Sequence, residues 1–236
     1  SSGRIMDLFS IKTIKYLLKQ QEAKPKKGLG QNFLVSKGVL GDILKAADLK
    51  KSDTVLEIGP GIGTLTRELA LVAKRVLAIE KDPFMVEILK ETTKDLPNIE
   101  VIQNDILKFS KTKEFLDFTR GTYKVVANLP YYITSPVIRL FLEAENKPKL
   151  IVLMVQKEVA QRICAKPPDM SLLTVSVQVY GMPSIISYAK KGCFWPQPKV
   201  DSAILKIVPH NLAKLSYPHL SLAKFFTVVK AGFKQT

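Results

Sequence analysis

The sequence predicts an α/β fold, a doubly wound and mostly parallel sheet with antiparallel strands near its C-terminal end. Three observations predict it. Short apolar runs alternate with helical periodicity between residues 54 and 163, the pattern of parallel strands covered on both faces. The glycine turn Glu57-Ile58-Gly59-Pro60-Gly61-Ile62-Gly63-Thr64 joins the first of these runs to a helix. Beyond it, the last third loses long helical spacing: segments 172–180, 185–189 and 202–208 are expected to pair antiparallel.

Apolar residues recur at helical spacing over 5–20 (Ile5, Leu8, Phe9, Ile11, Ile14, Leu17, Leu18), which predicts a helix. Lys24-Pro25-Lys26-Lys27-Gly28 then breaks the pattern and reads as a mobile basic loop. Ser36 is positioned to cap a helix over 37–47. Strands are expected at 54–58, 75–79, 100–103, 123–127 and 150–155, with helices over 64–73, 83–94, 135–144 and 157–163. After Pro209 the composition turns polar, then helical from about residue 221.

The 236 residues carry a formal net charge of +15 with 46% apolar content. So large a basic excess points to a polyanionic partner, nucleic acid or an anionic membrane. No run of about 20 apolar residues is present to span a bilayer. Cys164 and Cys193 lack CxxC spacing and read as reduced structural thiols. His210 and His219 have no acidic or Cys partners nearby, so no metal is expected.

Glycines at a strand-to-helix turn let the backbone approach a ligand closely, and the helix start presents free amides. The spacing is G-x-G-x-G rather than the G-x-G-x-x-G of dinucleotide enzymes. Glu80 ends the second strand, where a carboxylate can accept both hydroxyls of a ribose. Asn104-Asp105 ends the third, where a carboxylate can accept from an adenine amine. The plainer readings are an ion pair with Lys81 for Glu80 and a helix N-cap for Asp105. Together, at the carboxyl edge where doubly wound sheets bind ligands, these features resemble the Rossmann-like class I S-adenosylmethionine methyltransferases. Glu57, Gly59, Gly61, Gly63, Glu80 and Asp105 are the candidate cofactor residues, and S-adenosyl-L-methionine is the implied cofactor.

The fourth strand ends in Asn128-Leu129-Pro130-Tyr131. The N6 of adenine is a poor nucleophile because its lone pair is delocalised into the ring. Two acceptors on that NH2 group, the Asn128 amide oxygen and the Leu129 carbonyl, favour an amine-like nitrogen. Pro130 restricts Leu129 to an extended conformation and so fixes that carbonyl. Tyr131 offers a ring to an extruded base. No general base is required before attack, which leaves orientation and electrostatics as the catalytic means. An ordinary strand-ending turn is the alternative. Phe194 opens the stiff loop Phe194-Trp195-Pro196-Gln197-Pro198, whose plainer reading is packing on the core.

Over residues 27–208 the chain resembles the ribosomal RNA adenine dimethyltransferase family. The segments that carry the resemblance are Gly30-Gln31-Asn32-Phe33-Leu34, Glu57 through Thr64, Glu80, Asn104-Asp105-Ile106, Asn128 through Ile133, Val155 through Ala160, and Phe194 through Ala203. It implies that Gln31 and Asn32 approach the methionine moiety and Leu34 the cofactor edge, with Ile106 and Asn128 also at the cofactor. It implies that Phe194 packs on the target adenine opposite Tyr131. The implied product is N6,N6-dimethyladenosine at two adjacent adenines near the 3′ end of small-subunit rRNA. The implied partner is the assembling small subunit, met by a cytoplasmic monomer without membrane contact. Lys24, Lys26, Lys27, Arg139, Lys157, Arg162, Lys190, Lys191 and Lys199 are candidates for phosphate contacts. Residues 1–208 are expected to form the methyltransferase domain with an N-terminal helical extension, and 209–236 to begin a helical rRNA-binding domain, truncated relative to the family. Competing readings are a large-subunit resistance methyltransferase, a non-catalytic assembly or transcription factor of the same fold, and a DNA adenine methyltransferase.

Overall fold

The computed structural model describes residues 6–210 and 222–233. Ile5, His219, the expected helix start at 221 and the last three residues lie outside them. In chain order the elements are α1 (Ile11–Gln20), β1 (Phe33–Leu34), α2 (Lys37–Ala47), β2 (Thr54–Ile58), α3 (Thr64–Val72), β3 (Arg75–Glu80), α4 (Pro83–Thr93), β4 (Ile99–Gln103), α5 (Ile106–Phe109), α6 (Lys113–Thr119), β5 (Lys124–Asn128), α7 (Thr134–Leu142), β6 (Leu150–Gln156), α8 (Lys157–Ile163), α9 (Leu172–Gln178), β7 (Gly181–Ala189), β8 (Phe194–Trp195), β9 (Ser202–Pro209) and α10 (Leu222–Gly232).

The main sheet has seven strands in the order β4-β3-β2-β5-β6-β9-β7. Neighbours from β4 to β6 run parallel, while β9 lies antiparallel between β6 and β7. The chain builds outward from β2 to β4, then crosses back to start β5 on the other side of β2. That reversal is the topological switch point, where such sheets leave a crevice at their carboxyl edge. Helices cover both faces. Leu56 and Ile58 pack with Phe109 and Phe141 on one side; Val55 packs with Ala47, Leu65 and Leu69 on the other. The continuous apolar run of β6, buried from Leu150 to Val155, reflects its central, two-faced position.

Local chemistry sets the element ends. The Ser36 hydroxyl accepts the Val39 N–H, as expected of the α2 cap. Lys124 is 9% exposed and still charged-paired: it meets Asp53 at 2.9 Å and donates to the Ala47 and Asp48 carbonyls. It thus ties the end of α2 to the start of β5, satisfying carbonyls that a helix C-terminus leaves open.

Two expectations are corrected, and some elements are additional. The first helix starts at Ile11, not at residue 5, because Ser10 caps it through the Thr13 N–H. Segment 172–180 is not a strand; it holds α9. The segment is too short to show long helical spacing, yet Leu173, Val177 and Tyr180 fall four and three residues apart and pack together on the core. Ser171 and Thr174 form a reciprocal capping box, each side-chain oxygen accepting the other's backbone N–H. Finally, α5, α6 and the two-strand pair β1–β8 had no counterpart in the sequence reading.

Ser171→Ala removes one half of that box and is expected to lower stability by about 1 kcal/mol. A lower denaturant midpoint at unchanged slope checks this; an unchanged midpoint would show that the cap does not hold α9.

Candidate active site

The ends of β2, β3, β4 and β5 lie side by side in parallel register. A single cleft opens above them, lined by fourteen of the fifteen residues expected at the cofactor or the reacting base. Counting its open mouth, it encloses about 1050 Å³, room for a nucleoside-sized ligand.

The glycine turn forms its floor. Gly59 and Gly61 have φ of +66° and +58°, the left-handed region that other residues enter at a cost. A Cβ on Gly59 would lie 3.5 Å from Pro130, and one on Gly61 3.4 Å from Phe33. Gly63, at the end of the turn, stands back from the cleft wall. Its φ is +90°, and a Cβ there would sit 2.9 Å from Leu89 and Thr92 of α4. It is glycine because the start of α3 packs tightly on α4.

Three carboxylates stand around this floor. Glu80, 6% exposed, accepts the Gly61 N–H at 3.1 Å and the Asp82 N–H at 2.8 Å. Burial pushes its carboxyl up, and those amides partly oppose the shift. It does not pair with Lys81, which instead meets Asp105 at 2.9 Å. Asp105 also caps α5 through the Leu107 N–H, so it is both an N-cap and a cleft residue. The Lys81 ammonium, ahead of the opposing burial, holds its carboxyl below the usual range. Glu57 is 1% exposed. One of its oxygens has no partner among the described residues, and burial pushes its carboxyl up to about 8.

The other end of the cleft holds the Asn128-Leu129-Pro130-Tyr131 segment. The Asn128 Nδ2 donates to the Asn32 carbonyl at 3.2 Å. With its amine end so engaged, the carboxamide turns its oxygen the other way. The Leu129 N–H donates to the Met154 carbonyl of β6, and Leu129 is buried. Tyr131 and Ser202 hydroxyls meet at 2.7 Å, fixing the ring against β9. Phe194 reaches the same cleft from β8. It does so because Leu34 and Phe33 of β1 pair with Phe194 and Trp195, and the Phe33 and Trp195 rings stack at 6.4 Å.

Gln31 lines the cleft, but its side chain is engaged within the protein. It donates to Asp82 at 2.8 Å and accepts the Lys26 N–H at 2.8 Å. Lys26 adds an ion pair to Asp82 at 2.9 Å. Asp82 was missed in the sequence; it is 1% exposed and links the N-terminal segment to the Glu80 turn. The only signal was Asp before Pro83, an N-cap pattern. Of the expected phosphate contacts, Lys26 and Arg139 are thus occupied in ion pairs, the latter with Glu143.

The raised Glu57 carboxyl has a sign that can be tested. Its pKa is 4.5 unperturbed and about 8 in the fold. Below the lower value both states are protonated and burial carries no penalty. As pH rises towards the upper value, only the unfolded state releases the proton, so stability falls. The melting temperature of the ligand-free protein is expected to drop across that window and to flatten in Glu57→Gln. An equal slope in the variant would mean that Glu57 is not the group responsible.

Comparison with known proteins agrees with this geometry. Residues 22–236 match the family described as Ribosomal RNA adenine dimethylase. A Ribosomal RNA small subunit methyltransferase A of Dehalococcoides mccartyi is 51% identical over 219 residues, covering 93% of this chain and 74% of the relative. A protein of the same name from Clostridioides difficile is 42% identical over 231 residues, covering 97% and 79%. Among solved structures, a dimethyladenosine transferase from Plasmodium falciparum superposes with a TM-score of 0.68 at 34% identity, covering 78% of this chain and 65% of that one. The 23S rRNA methyltransferase ErmE gives 0.68 at 32% identity, covering 76% and 70%. The chain belongs to the ribosomal RNA adenine dimethylase family.

Proposed function

We propose that this protein transfers methyl groups from S-adenosyl-L-methionine to N6 of two adjacent adenines near the 3′ end of small-subunit rRNA, giving N6,N6-dimethyladenosine. The observation that carries the reading is the Asn128 carboxamide, held by Asn32 at the end of β5 with its oxygen turned away from that bond. A class of relatives named for the small subunit, 40–51% identical, favours that substrate. ErmE, at 32% identity, makes large-subunit rRNA the alternative.

The cleft fits the cofactor. Its glycine floor admits a close approach, the buried Glu80 is placed for ribose hydroxyls, and Asp105 for an adenine amine. Glu57, with an unpartnered buried oxygen, suits the charged end of the molecule. When bound, S-adenosyl-L-methionine supplies an electrophilic methyl group. The Asn128 oxygen and the Leu129 carbonyl would accept from the adenine amine and aim its lone pair. Tyr131 and Phe194 would clasp the base from two sides and exclude water. The attacking amine is neutral, so no side chain need take a proton first; orientation and dipoles supply the rate. The reading includes a cytoplasmic monomer in which residues 1–208 hold the catalytic domain and 209–236 begin an rRNA-binding one.

Asn128→Ala is expected to slow transfer by roughly 100-fold or more while cofactor affinity falls far less. Equal loss of both would remove Asn128 from the amine. Glu80→Ala is expected to weaken cofactor binding about tenfold or more, since a charge-assisted hydrogen bond contributes about 1.5–3 kcal/mol; unchanged affinity would remove it from the ribose. Labelled methyl transfer to unmethylated small subunits, with large subunits as control and the modified base mapped, tests the substrate. Label on paired adenines of the small subunit is expected; label confined to the large subunit would assign the protein to the alternative.

A further inference from the structure

A second, shallower cavity opens on the surface beside Lys157, Lys191 and Lys199, with Glu158 and Asp201 in its wall. It adjoins the active-site cleft. Tyr131 lines the inner cleft, and its hydroxyl meets Ser202; the preceding residue, Asp201, lines the outer cavity. Asp201 also fixes two of the lysines by their backbones. Its carboxylate accepts the Lys191 N–H at 2.9 Å, and its carbonyl accepts the Lys157 N–H at 3.0 Å. One short 3-10 turn, Lys191–Cys193, then leads directly to Phe194 in the inner cleft.

The three ammonium groups make no ion pair among the described residues, although two carboxylates share their cavity. They are exposed and outnumber those carboxylates. The Lys157 ammonium lies 5.2 Å from the centroid of the Tyr188 ring, and Tyr188 is 52% exposed. Three exposed lysines at one cavity, one of them against an exposed aromatic ring at its edge, suit the phosphates of a single-stranded polynucleotide. A base drawn into the inner cleft leaves its phosphates outside the mouth. The lysines are tied to that cleft by the Asp201-Ser202 step to Tyr131 and by the turn from Lys191 to Phe194.

We propose that this outer cavity holds the sugar-phosphate backbone of the RNA strand that flanks the target adenosine. The inference rests on the rRNA adenine reading above. Lys157, Lys191 and Lys199 contact phosphate, and Asp201 positions two of them without touching RNA.

The test compares two triple variants of the full chain with equal charge loss. One is K157Q/K191Q/K199Q. The other is K50Q/K51Q/K74Q, three exposed lysines at the opposite, amino edge of the sheet. Binding to an RNA hairpin with an adenine-containing loop is measured by fluorescence anisotropy across a salt series, with methyl transfer measured separately. Each lost single-strand phosphate contact lowers the log–log salt slope by roughly 0.7, so about two is expected for the cavity triple. Its affinity at low salt and its KM for RNA should worsen about tenfold or more, with kcat and cofactor affinity unchanged. The control triple should keep both slope and affinity. No change in the cavity triple, or equal losses in both triples, would overturn the site. Wild-type protein that binds RNA through these lysines yet labels no adenine would instead overturn the functional reading and leave the site standing.

Discussion

Phe33 and Leu34 pair with Trp195 and Phe194 across the cleft, and the rest of the site depends on that pairing. It joins two segments far apart in the chain. Its two-residue ladder is too short to hold by hydrogen bonds, each of which contributes about 1 kcal/mol net. Apolar burial decides: Phe33, Leu34 and Phe194 are 6%, 3% and 3% exposed, and each such side chain contributes about 1.5–3 kcal/mol. Through the pair, Phe194 enters the cleft, and the Asn32 carbonyl is brought within reach of Asn128. The orientation of the reacting carboxamide is therefore set from the far side of the cleft rather than by β5 alone.

The charges around the cleft divide in the same way. At the glycine floor, burial raises the carboxyls of Glu57 and Glu80. At the neighbouring strand end, Lys81 lowers that of Asp105. Under the proposed reading, a ligand bringing a positive charge and hydroxyl donors would favour the charged forms of these two buried acids. Asp82 extends this inward logic to the N-terminal segment: it is buried, yet fully engaged with Lys26, Gln31 and the Phe84 N–H. The strap over the floor and the carboxylate beneath it share one hydrogen-bonded turn.

Much of this was legible in the residue order. The alternation of apolar runs and helices gave the parallel strands to within a residue or two, because both-face burial imposes uninterrupted apolar runs. Glu80, Asp105 and Asn128 were legible because they end consecutive strands, and strand ends of a doubly wound sheet converge. What failed has equally physical causes. In 172–178 the helix is only seven residues long, too short for helical spacing to stand out, and the Ser171 cap went unread. That Gly63 is also required by packing on α4 was not legible, because its partners there, Leu89 and Thr92, lie well beyond it in the chain. Gln31 lines the cleft as expected of its position, but its bond to Asp82, 51 positions away, is one that no local pattern reveals. The β1–β8 pair is two residues long, below the length at which periodicity carries a signal.

The central claim is that Asn32 turns the Asn128 oxygen towards the adenine amine. A high-resolution crystal structure with S-adenosylhomocysteine and an adenosine-containing RNA tests it most directly. The account predicts N6 within hydrogen-bond distance of the Asn128 Oδ1 and the Leu129 carbonyl, the Asn128 Nδ2 still on the Asn32 carbonyl, and the base between Tyr131 and Phe194. An adenine bound elsewhere, or an Asn128 released from Asn32 with its Nδ2 facing N6, would contradict it.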